Sequence, residues 1–232
     1  SYAYSGVGST SARKYAEYLL GQASTKSEEK ALLVGLLNYG AAAQEYFKYK
    51  TDDLMNSSLT QEQQALVRSY DAGMITAVSM DQSKAGAFAA TANAFSGKGA
   101  SAVFDGAFAI NCYLTPSATP DNGITLYCWN KEAYEAATEL TAENATRVVE
   151  MTKQSNGKYI GSYTGIVAKE YDDPIYFCGV YEVDGVTYST GILPTSLSAY
   201  CQRVASGSDA MAAKLAQATV VYGYCAKEAF GE

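Results

Sequence analysis

Trp129 is the only tryptophan among 232 residues, and it stands two positions from Tyr127 in a stretch, 124–130, whose rhythm predicts a β-strand. Strand alternation puts both rings on one face. Tyr134 follows shortly, and Asn130, Lys131 and Glu132 supply polar neighbours. A sugar ring presents an apolar face of C–H groups, so a flat aromatic beside polar groups suits a carbohydrate. Trp129, Tyr127, Tyr134 and Asn130 are therefore the candidate ligand-binding residues. The competing reading makes the sole Trp a core plug, because large aromatics dominate interiors. Three weaker clusters of the same kind are Tyr159 with Tyr163, Tyr171 with Tyr176, and Tyr46 with Tyr49.

Other chemistries are poorly supplied. The chain has no His, which excludes Ser-His-Asp and Cys-His catalysis and the ordinary His-containing zinc sites. The glycine-rich pieces at 5–10 and 96–101 suggest a phosphate loop, but neither completes the pattern around Lys98, and both read as turns. The pairs Asp52-Asp53 and Asp172-Asp173 suit a glycosidase or a calcium ion, yet Asp-Asp-Pro before a strand reads more simply as a solvated turn, and no EF-hand spacing occurs. The five Cys form no CxxC and sit among apolar residues, so they read as buried small hydrophobes and not as a disulfide framework. No catalytic residue, metal or cofactor is assigned.

Composition narrows the partners. Hydrophobic residues make up 48% and charged residues 18%, which is a folded globular composition. A net charge of −7 with scattered Lys and Arg argues against nucleic acid and anionic membranes. No apolar run is long enough to cross a bilayer, and the polar start at Ser1 carries no signal peptide, as expected of a mature product or an excised module. Twenty Tyr point to half-exposed positions where a ring packs while its hydroxyl stays wet.

The positioning elements follow from an internal repeat. Residues 32–47 return in altered form at 215–230, with Tyr39-Gly40 meeting Tyr222-Gly223, Ala43 meeting Ala226, Glu45 meeting Glu228 and Phe47 meeting Phe230. The pair Tyr4-Ser5 with 11–20 parallels Tyr188-Ser189 with 196–204. Each copy predicts a helical hairpin: the first helix capped by Ser9 or Thr10, the second by Ser27, and the C-terminal pair starting at Thr195 or Ser196 after Pro194. A third helix is expected from the capping box at Thr60 to Gly73. From 74 to 193 alternation and the turn pairs Asn156-Gly157 and Asp184-Gly185 predict seven or eight short strands. The recurrence of Gly40 and Gly223 predicts a close crossing of the terminal helices. The expected fold is α+β: an immunoglobulin-like antiparallel β-sandwich (74–193) with N-terminal (1–73) and C-terminal (194–232) helical hairpins packed on it as one composite domain.

The segments LLNYGAAAQEYF, LYCWNKEAYEAATELTAENAT and GIVAKEYDDPIYFCGVYEVDGVTYS, leading to LSAYCQRV, resemble a recurring module of large secreted cell-surface proteins of gut clostridia and ruminococci. The resemblance runs from about Tyr15 to Phe230. It is also similar in a general way to modules of starch-adherence proteins of the ruminococcal amylosome. What it implies is a secreted or cell-surface location, no catalysis, neighbouring modules in a larger protein, and a polysaccharide or oligosaccharide partner, an α-glucan first. An aromatic at the place of Trp129 followed by a Tyr at the place of Tyr134 is common among these modules, which favours packing for both. The other reading is a structural or spacer module of a bacterial surface protein, with no small ligand.

Overall fold

In the computed structural model, which describes residues 11–105 and 107–231, the chain runs from helix through sheet and back to helix. It opens with α1 (Ala12–Leu20), α2 (Ser27–Phe47) and a single turn, α3 (Gln61–Gln64). Strands β1 (Phe95–Asp105), β2 (Ala107–Pro116) and β3 (Thr125–Trp129) lead to a short helix, α4 (Lys131–Ala136). Then come β4 (Arg147–Glu150), β5 (Thr152–Lys153), β6 (Tyr159–Ile166), β7 (Ile175–Val183), β8 (Val186–Ser189) and β9 (Leu193–Thr195). Helices α5 (Leu197–Ala205) and α6 (Ala210–Phe230) close the chain.

The two ends match in dimension: α1 and α5 have 9 residues each, α2 and α6 have 21 each. Their caps are local chemistry. Ser11, not Ser9 or Thr10, caps α1 by accepting from the Lys14 N–H at 3.3 Å. The expected caps, the glycine-rich piece at 5–10 and Tyr4-Ser5 lie outside the described residues. Ser27 is the first helical residue of α2, and the Lys26 N–H before it donates to the Glu29 carboxylate at 3.1 Å. Ser196 caps α5 and Asp209 caps α6, each accepting backbone N–H groups at 3.0 Å.

Helices α2 and α6 pack antiparallel. Lys214 pairs with Glu45 at one end, Tyr39 stacks on Tyr222 in the middle, and a Cβ at Gly35 would lie 3.3 Å from Tyr222 Cα. Gly35 therefore marks the close approach, and the expected role of Gly40 and Gly223 is corrected. Gly40 makes room for the Met55 side chain and Gly223 for the Tyr171 ring. The repeat keeps the two glycines for two different intruders.

The nine strands of the described residues pair antiparallel in two sheets, ordered β1-β2-β6-β5 and β4-β3-β7-β8, with β9 also on β7. This is the strand order of an immunoglobulin-like sandwich. The inner faces meet through Ile110, Cys112 and Leu114 on one side and Leu126, Cys128 and Phe177 on the other, all buried. The same core takes in Leu197, Cys201, Ala216, Val220 and Cys225 from the closing helices, so helices and sheets share one interior. All five Cys are buried and unpaired. Asp184 and Gly185 both take left-handed backbone, the type I′ turn expected, whereas the Asn156 hairpin closes as a 154–157 turn with only Gly157 left-handed.

Two expectations give way. The helix from Thr60 stops at Gln64, where the Gln64 amide locks onto the Asn38 amide at 3.0 and 3.2 Å, and Val67, Tyr70 and Met74 then pack on the core without α-helical backbone, Met74 closing a 3-10 turn. The stretches 74–80 and 85–94 are not strands. They form two 3-10 turns and extended pieces, of which Met80, Ala85 and Phe88 cover the outer face of the second sheet while Met74, Ile75 and Ala94 join the main core. Alternation there served a covering segment, and its backbone groups bond side chains such as the Tyr134 hydroxyl and Asp81.

Candidate functional site

The residues singled out from sequence do come together, but in the interior. Tyr127 and Trp129 share the outer face of β3, as alternation predicts, and that face is roofed by Phe88, Leu140 and α4 to make a second core. Trp129 is 0% exposed, its indole N–H donates to Asn144 Oδ1 at 2.8 Å, and Phe88 packs edge-on at 5.2 Å. Tyr134 is 8% exposed, stacks on Tyr176 at 3.7 Å, and its hydroxyl accepts the Asp81 N–H at 2.7 Å. Asn130 spends its side-chain oxygen on capping α4 through Ala133, and Tyr127 is half-buried between Phe88 and Trp129. A stacking platform needs an open ring face, and neither Trp129 nor Tyr134 has one. Both are core residues, and the platform assignment is corrected. Tyr159, Tyr163, Tyr171 and Tyr176 are buried as well.

The uncovered surface lies on the opposite side of the sandwich. Register places Gly97, Gly99, Ser101 and Val103 of β1 on the outer face of the first sheet. Beside them stand Ala109, Asn111, Tyr113 and Thr115 of β2, then Ile160, Ser162 and Thr164 of β6. All but Ala109 are exposed or half-buried, and none is charged. The next pair in the same alternation, Asp105 with Ala107, brings the first charged residue only at the hairpin end of the face. Arg147 reaches only its rim, donating to Thr164 at 2.7 Å.

At the centre lies Tyr113. It sits opposite Gly99, and its hydroxyl is 3.2 Å from the hydroxyl of Ser101, a diagonal neighbour, so the side chain reaches along the sheet towards Ser101. Beside it a row crosses three strands. Ser162 donates to Asn111 Oδ1 at 2.7 Å, and the Asn111 amide reaches Ser101 at 3.5 Å. At strand spacing that row spans about 10 Å. The arrangement offers one half-buried aromatic ring and a line of neutral donors and acceptors. Chemically it can stack and hydrogen-bond a polyhydroxylated ligand.

Sequence reasoning missed these residues because 101–114 reads as one strand. Asp105 pairs with Ala107, so this run is a hairpin, and Asp105-Gly106 between alternating flanks was its signal. Among the described residues no cluster of His, Cys, Asp or Glu is arranged to hold a metal ion, and no helix is long and apolar enough to cross a membrane.

No protein-family model matches the chain, and no curated protein matches it. A solved structure, the crystal structure of a Br derivative of BhCBM56, aligns with 46% of this chain and 95% of its own length, at 14% identity and a TM-score of 0.31. Likeness at that level bears on neither fold nor function.

Proposed function

We propose that this chain is a non-catalytic carbohydrate-binding module that holds neutral glycans on the outer face of its first sheet. The observation that carries the reading is Tyr113, half-buried among neutral side chains on the outer face of the first sheet, beside Ser101, Asn111 and Ser162. A sugar stacked on Tyr113 packs its C–H face on the ring while its hydroxyls meet the row of side chains. Those groups keep bonding capacity beyond the bonds they make to one another: each hydroxyl has two lone pairs, and the Asn amide has two N–H groups. The acidic balance of the chain favours a neutral polymer over an anionic one.

Starch and maltooligosaccharides are the first ligands to test, on the strength of the sequence resemblance. The same resemblance supports a secreted or cell-surface place beside other modules, whose sites raise the avidity of a weak single contact. Three of the four Asp residues that suggested acid–base chemistry have structural employment instead. Asp53 pairs with Arg13 and Asp173 with Lys131. Buried Asp172 accepts from Thr76 at 2.6 and 2.9 Å and from Ser198 at 2.7 Å.

Affinity electrophoresis on gels cast with a panel of polysaccharides tests the reading. Retardation on at least one neutral glycan, abolished in Tyr113→Ala, is the expected result. Mobility unchanged on every polymer refutes the reading and leaves the spacer alternative standing; release of reducing ends from a retained glucan contradicts its non-catalytic part.

A further inference from the structure

The end of α2 carries a second aromatic feature that the sheet face does not use. Tyr46, Phe47 and Tyr49 are 38%, 50% and 48% exposed, and Tyr46 and Phe47 stand at 85° to each other with centroids 4.9 Å apart. The backbone holding them is tightly specified. Lys48 and Lys50 both take left-handed conformations, which side chains with a Cβ rarely adopt. Gln44, 3% exposed, braces the bend: its amide N–H groups donate to the Lys50 and Asp53 carbonyls at 3.1 and 3.0 Å, and its oxygen accepts the Met55 N–H at 2.7 Å. A buried amide with every partner placed thus fixes an elbow that turns three rings outward, at the cost of left-handed lysines. Rigid tyrosine rings are low-entropy contact groups. The flanking charges, Lys48 and Lys50 against Asp52 and Asp53, cancel, so the elbow has no preference for an anionic surface. Tyr39 packs on Phe108 of β2, and Ala42 and Ala43, a turn later in α2, cluster with Phe104 of β1, so the helix crosses from β2 to β1 and its elbow lies past the β1 edge of the sheet whose outer face carries Ser101 and Asn111.

We infer that this elbow is a second glycan contact, so that one polymer chain engages both it and the Tyr113 face. The inference rests on the reading of that face as a neutral-glycan site. Two contacts on one module make long chains bind better than short ones without any change in either contact.

The test compares a short maltooligosaccharide, by calorimetry, with soluble starch, by affinity electrophoresis, on the whole 232-residue chain. The exposed-ring variant Phe47→Ala/Tyr49→Ala is expected to lose roughly tenfold or more in polymer affinity, with oligosaccharide affinity within about twofold of the parent. Phe47→Tyr/Tyr49→Trp, which keeps flat rings, is expected to retain the polymer. An unchanged melting temperature certifies the fold. Polymer affinity equal to the parent overturns the inference, and so does an equal loss for oligosaccharide and polymer. If Tyr113→Ala leaves oligosaccharide binding intact while the elbow variant loses polymer, the failure belongs to the sheet-face reading and the elbow stands.

Discussion

Tyr39 and Tyr222, equivalent residues of the two terminal repeats, stack on each other with ring centroids 5.5 Å apart and 20° between their planes. Each repeat thus meets its own counterpart at one point. Tyr39 also packs edge-on against Phe108 of β2 at 5.5 Å, which joins the helix pair to the sheet.

That contact is testable as a pair. Tyr39→Ala and Tyr222→Ala are each expected to cost about 2–4 kcal/mol of stability, with a coupling of about 0.5–1.5 kcal/mol in the double variant. Urea unfolding of the four proteins measures it; strict additivity would remove the stacking from the account.

The repeated glycines are expected to differ. An added methyl at Gly40 meets chiefly the sulfur and terminal methyl of Met55, a flexible side chain, with the Met55 Cβ at 3.3 Å, whereas at Gly223 it meets the Cβ and ring of buried Tyr171. Gly40→Ala therefore changes stability by less than about 1 kcal/mol, since helix propensity offsets the crowding. Gly223→Ala costs about 1–3 kcal/mol. Thermal unfolding of both variants decides; equal effects would mean that the repeat uses both glycines in one way.

Trp129→Ala is a core truncation. Loss of a fully buried indole and its bond to Asn144 is expected to cost about 3–5 kcal/mol, read as a large drop in melting temperature. A variant that unfolds like the parent would show the ring to be dispensable to the second core.

The thiols make stability depend on alkaline pH. Burial pushes Cys112, Cys128 and Cys201 up to about 12 from an ordinary 9.0. As pH rises above 9 the unfolded chain sheds these protons while the folded chain keeps them, so stability is whole below about 9 and declines from there towards 12. Urea midpoints at pH 7, 9 and 10.5 are expected to fall slightly by pH 9 and much more by pH 10.5. Native protein is also expected to resist alkylation at pH 8, with all five thiols reacting after denaturation.

Much of this molecule was legible because it is locally encoded. Ser196 before Leu197 and the left-handed pair Asp184-Gly185 work within a few residues, and equal helices at both ends follow from one repeated pattern. What failed depended on distant partners. Alternation at 85–94 looks the same whether a neighbouring strand or the face of β3 satisfies it, and only the fold chooses the second. Trp129 and Tyr127 were correctly put on one face, but whether a face is bare or roofed is decided by Phe88 and Leu140 from other parts of the chain. Tyr113 was overlooked for the converse reason: its value comes from lying opposite Gly99 in an open sheet, a relation that exists only once the β1–β2 register is known.

The most direct test of the central claim is a two-dimensional amide NMR titration of the chain with a neutral oligosaccharide. The account predicts that shifts concentrate at 97–103, 109–115 and 160–164 and vanish in Tyr113→Ala. Shifts confined to residues around Trp129 and α4, or none in the first sheet at saturating ligand, would contradict it.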